Sequence, residues 1–265
     1  MVLQSASLVY PLSGLVVGFV IGLTGVGGGS LMTPLLLWLG FHPTTAVGTD
    51  LIYAAITKSI GTVAQHAGGT VDWKVVRRLA YGSVPATVLT LFVLSHINGE
   101  SRLLGDTIKF VLGIALLLTA ICILFRKYFA EVLARRYGDI SDVRTRTLTV
   151  VSGAIVGVLV SLSSVGAGAI GVTALILLYP RLPLARVVGS DIAHGVPLTL
   201  IAGAGYWYQG DVNWVLLFNL LIGSIPGILA GSMLAPRLPE YGLRPALAAI
   251  LLFVGANSVM HAHLF

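Results

Sequence analysis

The stretch Thr24-Gly25-Val26-Gly27-Gly28-Gly29-Ser30, preceded by Gly14-x-x-x-Gly18, decides how this chain folds, because it recurs 139 residues later. The second copy runs from Gly153-x-x-x-Gly157 to Ser163-Ser164-Val165-Gly166-Ala167-Gly168. Each copy places a short glycine-rich break inside an apolar run that is otherwise able to cross a bilayer. Paired broken helices are typical of transporters that are built from two repeats.

The composition is that of an integral membrane protein. Of the 265 residues, 56% are apolar and 10% are charged, and the mean hydropathy of +0.95 is too high for an ordinary soluble surface. The apolar runs lack period-2 alternation, so the sequence predicts an all-α polytopic membrane protein. A net charge of +6 suggests nucleic acid only in a soluble protein, and we expect no nucleic-acid partner here.

Each half of the chain contains five apolar segments, separated where Gly, Pro and charges cluster. They cover 8–23, 30–41, 45–65, 79–95 and 107–125, then 147–162, 169–180, 187–206, 215–235 and 243–260. We predict a first transmembrane repeat over 1–125, a basic cytoplasmic linker over 126–146 and a second repeat over 147–265. The segment after each break is short, and the sequence leaves open whether it crosses the membrane or is re-entrant.

The positive charges indicate the orientation in the membrane. If each segment reverses direction, thirteen Lys and Arg residues lie on the side of the linker and two lie on the other, with Lys58 inside a helix. The positive-inside rule then places the linker in the cytoplasm and both termini outside. Because five segments per copy is an odd number, the second copy enters from the opposite side, and we predict an inverted-topology repeat.

The glycine-rich breaks are candidate anion-binding sites. Consecutive glycines let the backbone approach a ligand, and the amides that open the following half-helix lack partners and carry partial positive charge. Nearby hydroxyl groups add further donors. The candidate substrate-binding residues are Thr24, Gly27, Gly28, Gly29, Ser30, Ser163, Ser164, Gly166 and Gly168. The alternative is close helix packing, which we expect of the glycines that precede each break, Gly14, Gly18, Gly22, Gly153 and Gly157.

Equivalent positions of the two copies hold carboxylates within apolar helices. With a two-residue insertion allowed, Asp50 matches Asp191, and Tyr53 and His194 follow one helical turn later. A carboxylate in such a place is paired, protonated or in a wet cavity, so both are expected to face inward. Either they accept hydrogen bonds that hold the broken segments in shape, or one carries a proton with His194 as its relay.

Lys58 is the only cation within an apolar stretch, and its counterpart in the second copy is Thr199. It neutralises Asp50, attracts an anionic substrate or extends along its stem to a polar region, and the sequence leaves these three roles open. We predict no metal and no cofactor. Cys122 is the only cysteine, and the chain has no Gly-x-x-x-x-Gly-Lys-Ser/Thr nucleotide loop.

These motifs resemble those of the TauE/SafE family of bacterial sulfite exporters. The resemblance rests on Gly22-Leu23-Thr24-Gly25-Val26-Gly27-Gly28-Gly29 and Ala46-Val47-Gly48-Thr49, with weaker echoes at Gly166-Ala167-Gly168 and Val188-Gly189-Ser190. It implies an inner-membrane transporter that exports small sulfur-containing anions, such as sulfite or short organosulfonates like sulfoacetate. It also adds Thr49 and Ser190 to the candidate substrate-binding residues. The family usually has a neutral residue where this chain has Asp50 and Asp191.

A secondary transporter in the lipid bilayer is therefore the predicted function, with a small anion held between half-helix N-termini near the midplane. The membrane potential favours expelling an anion by roughly 2.3 kcal/mol per charge per 100 mV, so proton coupling is not required. A passive anion channel and a transporter for another small organic anion stay open, as does a homodimer. We expect no enzyme, because a hydrolase using Ser163 or Ser164 with His194 has no visible third orienting group.

Overall fold

The computed structural model describes residues 8–24, 29–96, 102–136, 141–234 and 240–262. These residues form ten α-helices and no strand, which confirms the all-α class, and each helix overlaps one of the ten predicted apolar segments. The helices are α1 (Val9–Thr24), α2 (Gly29–Trp38), α3 (Pro43–Ala67), α4 (Trp73–Ser95), α5 (Arg102–Arg136), α6 (Asp142–Ser163), α7 (Ala169–Leu178), α8 (Leu184–Tyr208), α9 (Trp214–Leu234) and α10 (Glu240–Met260).

The described helices have the length and surface of membrane spans. Five stretches among them are long and apolar enough to cross a bilayer, namely Trp73–Ser95, Leu103–Phe125, Asp142–Ser163, Leu184–Tyr208 and Trp214–Leu234. Large apolar side chains are exposed on the outer faces of the helices, for example Phe92 in α4, Phe218 in α9 and Phe253 in α10. Such faces are stable against lipid and not against water, so the protein is embedded in a membrane.

The helices that follow the two glycine breaks are short. α2 and α7 contain ten residues each. At a rise of 1.5 Å per residue, such a helix is about 15 Å long, which is about half of the hydrocarbon core. Both are half-helices, and this length favours the re-entrant alternative for the segments that contain them.

The helices that precede the breaks pack through equivalent contacts. Gly14 of α1 lies against the backbone of Leu220 in α9, and Gly153 of α6 lies against the backbone of Leu79 in α4. A β-carbon at either glycine would overlap with the carbonyl oxygen of its neighbour. The packing interpretation of these Gly-x-x-x-Gly stretches is therefore confirmed. Three further glycines make the same kind of contact, Gly18, Gly22 and Gly157.

The third helices of the two copies, α3 and α8, cross at the centre of the molecule. Gly48 near the start of α3 lies beside Tyr206 near the end of α8, whereas Lys58 lies beside Gly195, nearer the start of α8. The two helices therefore run antiparallel. An inverted repeat requires opposite directions for equivalent helices. The inverted topology itself stays a prediction, with which this contact agrees.

The residues predicted as a linker, 126–146, are largely helical. α5 continues beyond Phe125 to Arg136, and α6 begins at Asp142. With 35 residues α5 is about 52 Å long, so it extends well beyond a hydrocarbon core of about 30 Å. The predicted boundaries at 125 and 146 followed the first charges of the sequence. Charges mark where a helix leaves the membrane, whereas the helix itself continues.

Candidate functional site

The second glycine break, residues 163–168, connects α6 to the half-helix α7. Ser164 has a φ of 59°, and Gly166 and Gly168 have φ values of 128° and 136°. L-residues rarely adopt positive φ, so glycine suits the last two positions. Ser164 ends α6, and its amide donates to the Val160 carbonyl at 2.8 Å. The backbone leaves helical geometry over these few residues.

The amides before α7 have no acceptor in the part of the chain that the structure describes. The N–H groups of Gly166, Ala167 and Gly168 make no hydrogen bond there, whereas the amide of Gly171 donates to the Gly166 carbonyl at 3.1 Å. Gly168 is the N-cap residue of α7 and stands at the positive end of the helix dipole, and Gly166 and Ala167 directly precede it. They form the arrangement that binds anions at helix N-termini.

The two serines of the break differ in their hydroxyl groups. Ser163 Oγ donates to the Leu159 carbonyl at 2.7 Å and accepts from the Val165 amide at 3.2 Å. Ser164 Oγ is buried and has no hydrogen-bond partner among the described residues. The Ser163 hydroxyl thus stabilises the backbone of the break, whereas the Ser164 hydroxyl is able to donate a hydrogen bond to a ligand.

The first glycine break lies mostly outside the described residues. Gly27 and Gly28 belong to residues 25–28, and the side chain of Thr24 at the end of α1 also lies outside. Gly29 and Ser30 begin α2, and Ser30 is buried. The roles predicted for this stretch stay predictions.

Asp50 on α3 is fully buried between the half-helix α2 and the second break. Thr33 of α2 donates its hydroxyl to Asp50 Oδ2 at 2.5 Å. The Ser164 hydroxyl lies next to the same carboxylate, although Oδ1 makes no hydrogen bond of good geometry. Asp50 therefore links the middle of α2 to α3, which supports the structural alternative for this residue.

Asp191 holds the equivalent position on α8 but has different neighbours. It is 2% exposed and accepts no hydrogen bond from the described residues. Its Oδ1 lies against Gly171 in the first turn of α7, where a β-carbon would overlap with it. The two matched acids are therefore not equivalent, since only Asp50 has a hydrogen-bond donor.

Lys58 extends from α3 across α8 to the second break. Its Nζ donates to the Ala167 carbonyl at 3.3 Å, and its stem lies over Gly195, which has no side chain to block it. The ammonium attracts both Asp50 and Asp191, although it forms no direct ion pair with either within the described ranges. The cation thus stands beside the amides that precede α7.

His194 and Tyr53 lie one turn beyond the two acids and are also buried. His194 Nε2 is 2.8 Å from Ser83 Oγ on α4, and its Nδ1 has no partner among the described residues. The Tyr53 hydroxyl and Ser224 Oγ on α9 lie next to each other, although they form no hydrogen bond of good geometry. The central polar cluster is defined as Thr33, Asp50, Tyr53, Lys58, Ser83, Ser164, Asp191, His194 and Ser224.

Thr49 and Ser190 use their hydroxyl groups outside this cluster. Thr49 Oγ1 accepts from the Asn213 amide at 3.0 Å, and Ser190 Oγ accepts from the Asp72 amide at 2.8 Å. Asp72 is the N-cap residue of α4, and the Asn213 side chain accepts from the amide of Leu216 at the start of α9. Both hydroxyls anchor the start of a helix, and we leave them out of the site.

Four residues of the site were not singled out in the sequence, namely Thr33, Ser83, Gly171 and Ser224. A signal existed for Ser83 and Ser224, because they share the repeated motif Gly-Ser-x-Pro at equivalent positions. Thr33 and Gly171 lie in half-helices, where a single small or polar residue has no periodic pattern to distinguish it.

The described residues form no metal site, and a cavity elsewhere among them is unsuitable for an anion. No three His, Cys, Asp or Glu side chains come together as metal ligands among the described residues. A cavity of about 350 Å³ lies between α4, α5 and the end of α6, and no residue of the central polar cluster lines it. Its lining is leucine and valine apart from Thr90 and Thr107, so it does not suit an anion.

Half-helices that adjoin buried charged groups within an all-α membrane protein are typical of membrane transporters. The model of the family described as Sulfite exporter TauE/SafE matches residues 10–258, so the chain belongs to that family. No solved structure matches it. The protein is therefore a membrane transporter of the TauE/SafE type.

Three relatives are similar over nearly their whole length. The chain is 39% identical to the probable membrane transporter protein YjnA of Bacillus subtilis (strain 168), over 94% of this chain and 98% of the relative. It is 28% identical to YdhB of the same organism, over 89% and 95% of the two chains. MJ0441 of Methanocaldococcus jannaschii is 27% identical, over 91% and 92%.

Proposed function

We propose that this transporter exports small sulfur-containing anions across the bacterial inner membrane, either sulfite or short organosulfonates such as sulfoacetate. The description of its family supports sulfite as one cargo. The central polar cluster supports a small polar solute, since it is buried and has several unused hydrogen-bonding groups.

The start of α7 carries this proposal. Amides without acceptors at Gly166, Ala167 and Gly168 are joined there by the Ser164 hydroxyl and by the ammonium of Lys58. Sulfite and sulfonates have three oxygens around one sulfur, so they accept several such hydrogen bonds at once. Donors of this kind next to a cation stabilise an anion more than they stabilise a neutral solute.

We propose that the first break completes the site. Thr33 of α2 donates to Asp50, which has Ser164 of the second break beside it, so α2 lies near this break. By the repeat, Gly27, Gly28 and Gly29 supply a second set of amides, and Thr24 and Ser30 supply hydroxyl groups. The anion then lies between the two half-helix N-termini near the midplane.

For the orientation we propose that the basic residues 126–146 face the cytoplasm and that both termini are periplasmic. The unequal distribution of Lys and Arg supports this arrangement. Fusions of a reporter that is active only in the cytoplasm test it. Activity after Arg136 and none at the C-terminus is expected, and the reverse result would contradict the proposal.

Thermal unfolding of the purified protein tests the binding site. Sulfite, sulfate, sulfoacetate, taurine, thiosulfate and carboxylate analogues are added over a range of concentrations, because a ligand of the native state raises the midpoint with concentration. We expect a rise with sulfite or sulfoacetate, and a smaller rise in Ser164→Ala. A panel without any stabilising sulfur anion would overturn the proposal.

Flux into proteoliposomes tests the mechanism. A carrier shows saturable uptake that is accelerated by substrate on the opposite side, and we expect this behaviour. Single-channel currents without saturation would instead establish the passive channel.

A further inference from the structure

The charges of the central polar cluster do not balance. Two carboxylates, Asp50 and Asp191, face one ammonium, that of Lys58, which is the only cation acting on either acid in the described part of the chain. The other titratable groups beside them are Tyr53, next to Asp50, and His194, next to Lys58. With both acids ionised and His194 neutral, one negative charge is left before any anion binds.

Only one of the two acids is suited to remain charged. Asp50 accepts a hydrogen bond from Thr33 and has Ser164 beside it. Asp191 is also buried, but its Oδ1 has no hydrogen-bond partner among the described residues. A buried carboxylate without donors is costly, and a bound proton removes that cost.

Asp191 also shares its surroundings with the proposed anion. Its Oδ1 lies against the first turn of α7, the helix whose preceding amides are proposed to bind the substrate. Lys58, which donates to the Ala167 carbonyl of the same break, would attract both the Asp191 carboxylate and the anion. Two negative charges at one helix N-terminus repel each other strongly in a medium of low dielectric constant.

We propose that the substrate anion and one proton bind to this site together, and that Asp191 holds the proton. The proton comes from solvent and forms an O–H bond on the Asp191 carboxylate as the anion arrives. Lys58 is then free to pair with the anion. This inference rests on the proposed function and names the second ion that the same site takes.

Binding linkage gives the direction of the effect. If the anion favours the protonated form of Asp191, acid strengthens anion binding and the anion promotes proton uptake by the same factor. The affinity then rises by at most about tenfold per pH unit, over the range in which Asp191 titrates. A monovalent anion that carries one proton with it moves no net charge.

The test uses isethionate, a sulfonate whose own charge stays constant between about pH 5.5 and about pH 8. Titration calorimetry gives its affinity at several pH values, and buffers of different ionisation enthalpy give the number of protons taken up. We expect a rise in affinity toward acid and uptake of one proton in the wild type. Asp191→Asn should bind without pH dependence, and the control Asp142→Asn should keep the dependence, because that carboxylate is exposed, pairs with Arg78 and lies outside the cluster.

The results distinguish a failure of the proton-binding inference from a failure of the proposed function. Isethionate that binds the wild type equally well at all pH values, with no proton uptake, would overturn the inference and leave the proposed function intact. If Asp191→Asn does not fold, the number of protons that the wild type takes up on binding isethionate is sufficient to test the inference.

If no sulfur anion binds at all, the proposed function fails, and infrared spectroscopy tests the proton site by itself. A protonated carboxyl band should then appear on acidification in the wild type and in Asp142→Asn, and be missing in Asp191→Asn. A wild type without this band would overturn the inference.

Discussion

At the scale of single residues, the environment of a side chain matters more than its place in a repeat. Asp50 and Asp191 align in the sequence, and both are buried. One accepts a hydrogen bond from Thr33, while the other lies against the bare backbone at Gly171. Asp50 therefore holds the half-helix α2 in the first copy, whereas Asp191 in the second copy has no hydrogen-bond donor among the described residues.

Thr33→Val removes the hydroxyl that Asp50 accepts from and keeps the shape of the side chain. Because a buried carboxylate then loses its donor, we expect the free energy of unfolding to fall by about 1–3 kcal/mol. Thermal unfolding in detergent measures it. Thr147→Val is the control, since that hydroxyl is exposed and donates within its own helix to Val143 at 3.1 Å. Equal stability of the two variants would contradict the role of Thr33.

Gly171→Ala places a methyl group on the Asp191 carboxylate. We expect a loss of stability of about 1–3 kcal/mol from this overpacking, and a shift of α7 that weakens anion binding. The double variant Gly171→Ala with Asp191→Ala should recover part of the loss, because the clash is gone. Losses that simply add would show that the two residues are not in contact.

The candidate site was predicted only in part, for reasons that lie at this scale. The glycine breaks, Asp50, Lys58 and Asp191 stand out because charges and consecutive glycines are rare in apolar runs. Thr49 and Ser190 looked similar in sequence, yet their hydroxyl groups hold the starts of α9 and α4. Which acceptor a hydroxyl finds across the molecule depends on packing that no local pattern contains.

At the scale of elements, hydropathy is sufficient to find the ten helices of the described residues but not their ends. Each predicted apolar segment corresponds to one helix, because a helix in lipid has to be apolar over most of its length. α5 extends beyond the apolar segment 107–125 and α6 begins before the segment 147–162, because charged residues can continue a helix that hydropathy does not mark. The break before α7 was predictable from glycine and serine, whereas its positive φ values were not.

Gly168→Ala tests the backbone geometry of the break. Alanine at a φ of 136° is strained, so we expect a loss of about 1–3 kcal/mol in stability and weaker sulfonate binding. Gly61→Ala in α3 is the control, because its β-carbon would meet only Ile192 at an ordinary 3.5 Å. Thermal unfolding and ligand titration measure both variants. A tolerated alanine at 168 would mean that the break can adopt another conformation.

At the scale of the molecule, two equivalent contacts hold the copies together. α1 packs on α9 as α6 packs on α4, with glycines where the backbones approach most closely. Each contact joins a helix of one copy to a helix of the other. The two copies are therefore interlocked and form one membrane body.

Gly14→Ile and Gly153→Ile should disturb these contacts to a similar extent. Both side chains would be forced into a neighbouring backbone, so we expect each variant to lose at least about 2–3 kcal/mol or to fail to assemble. Size-exclusion profiles and thermal unfolding in detergent measure the effect. Val151→Ile on an exposed face of α6 is the control. A loss at only one of the glycines would show that the two contacts differ in importance.

Lys58 has a consequence for the proposed carrier when no substrate is bound. If the two halves were alike in every side chain, the states open to either side of the membrane would have equal energy by symmetry. An ammonium in one half, with Thr199 in its place in the other, removes that equality. We therefore expect the unloaded protein to wait predominantly with one particular side open, and Lys58→Thr to bring the two populations closer together.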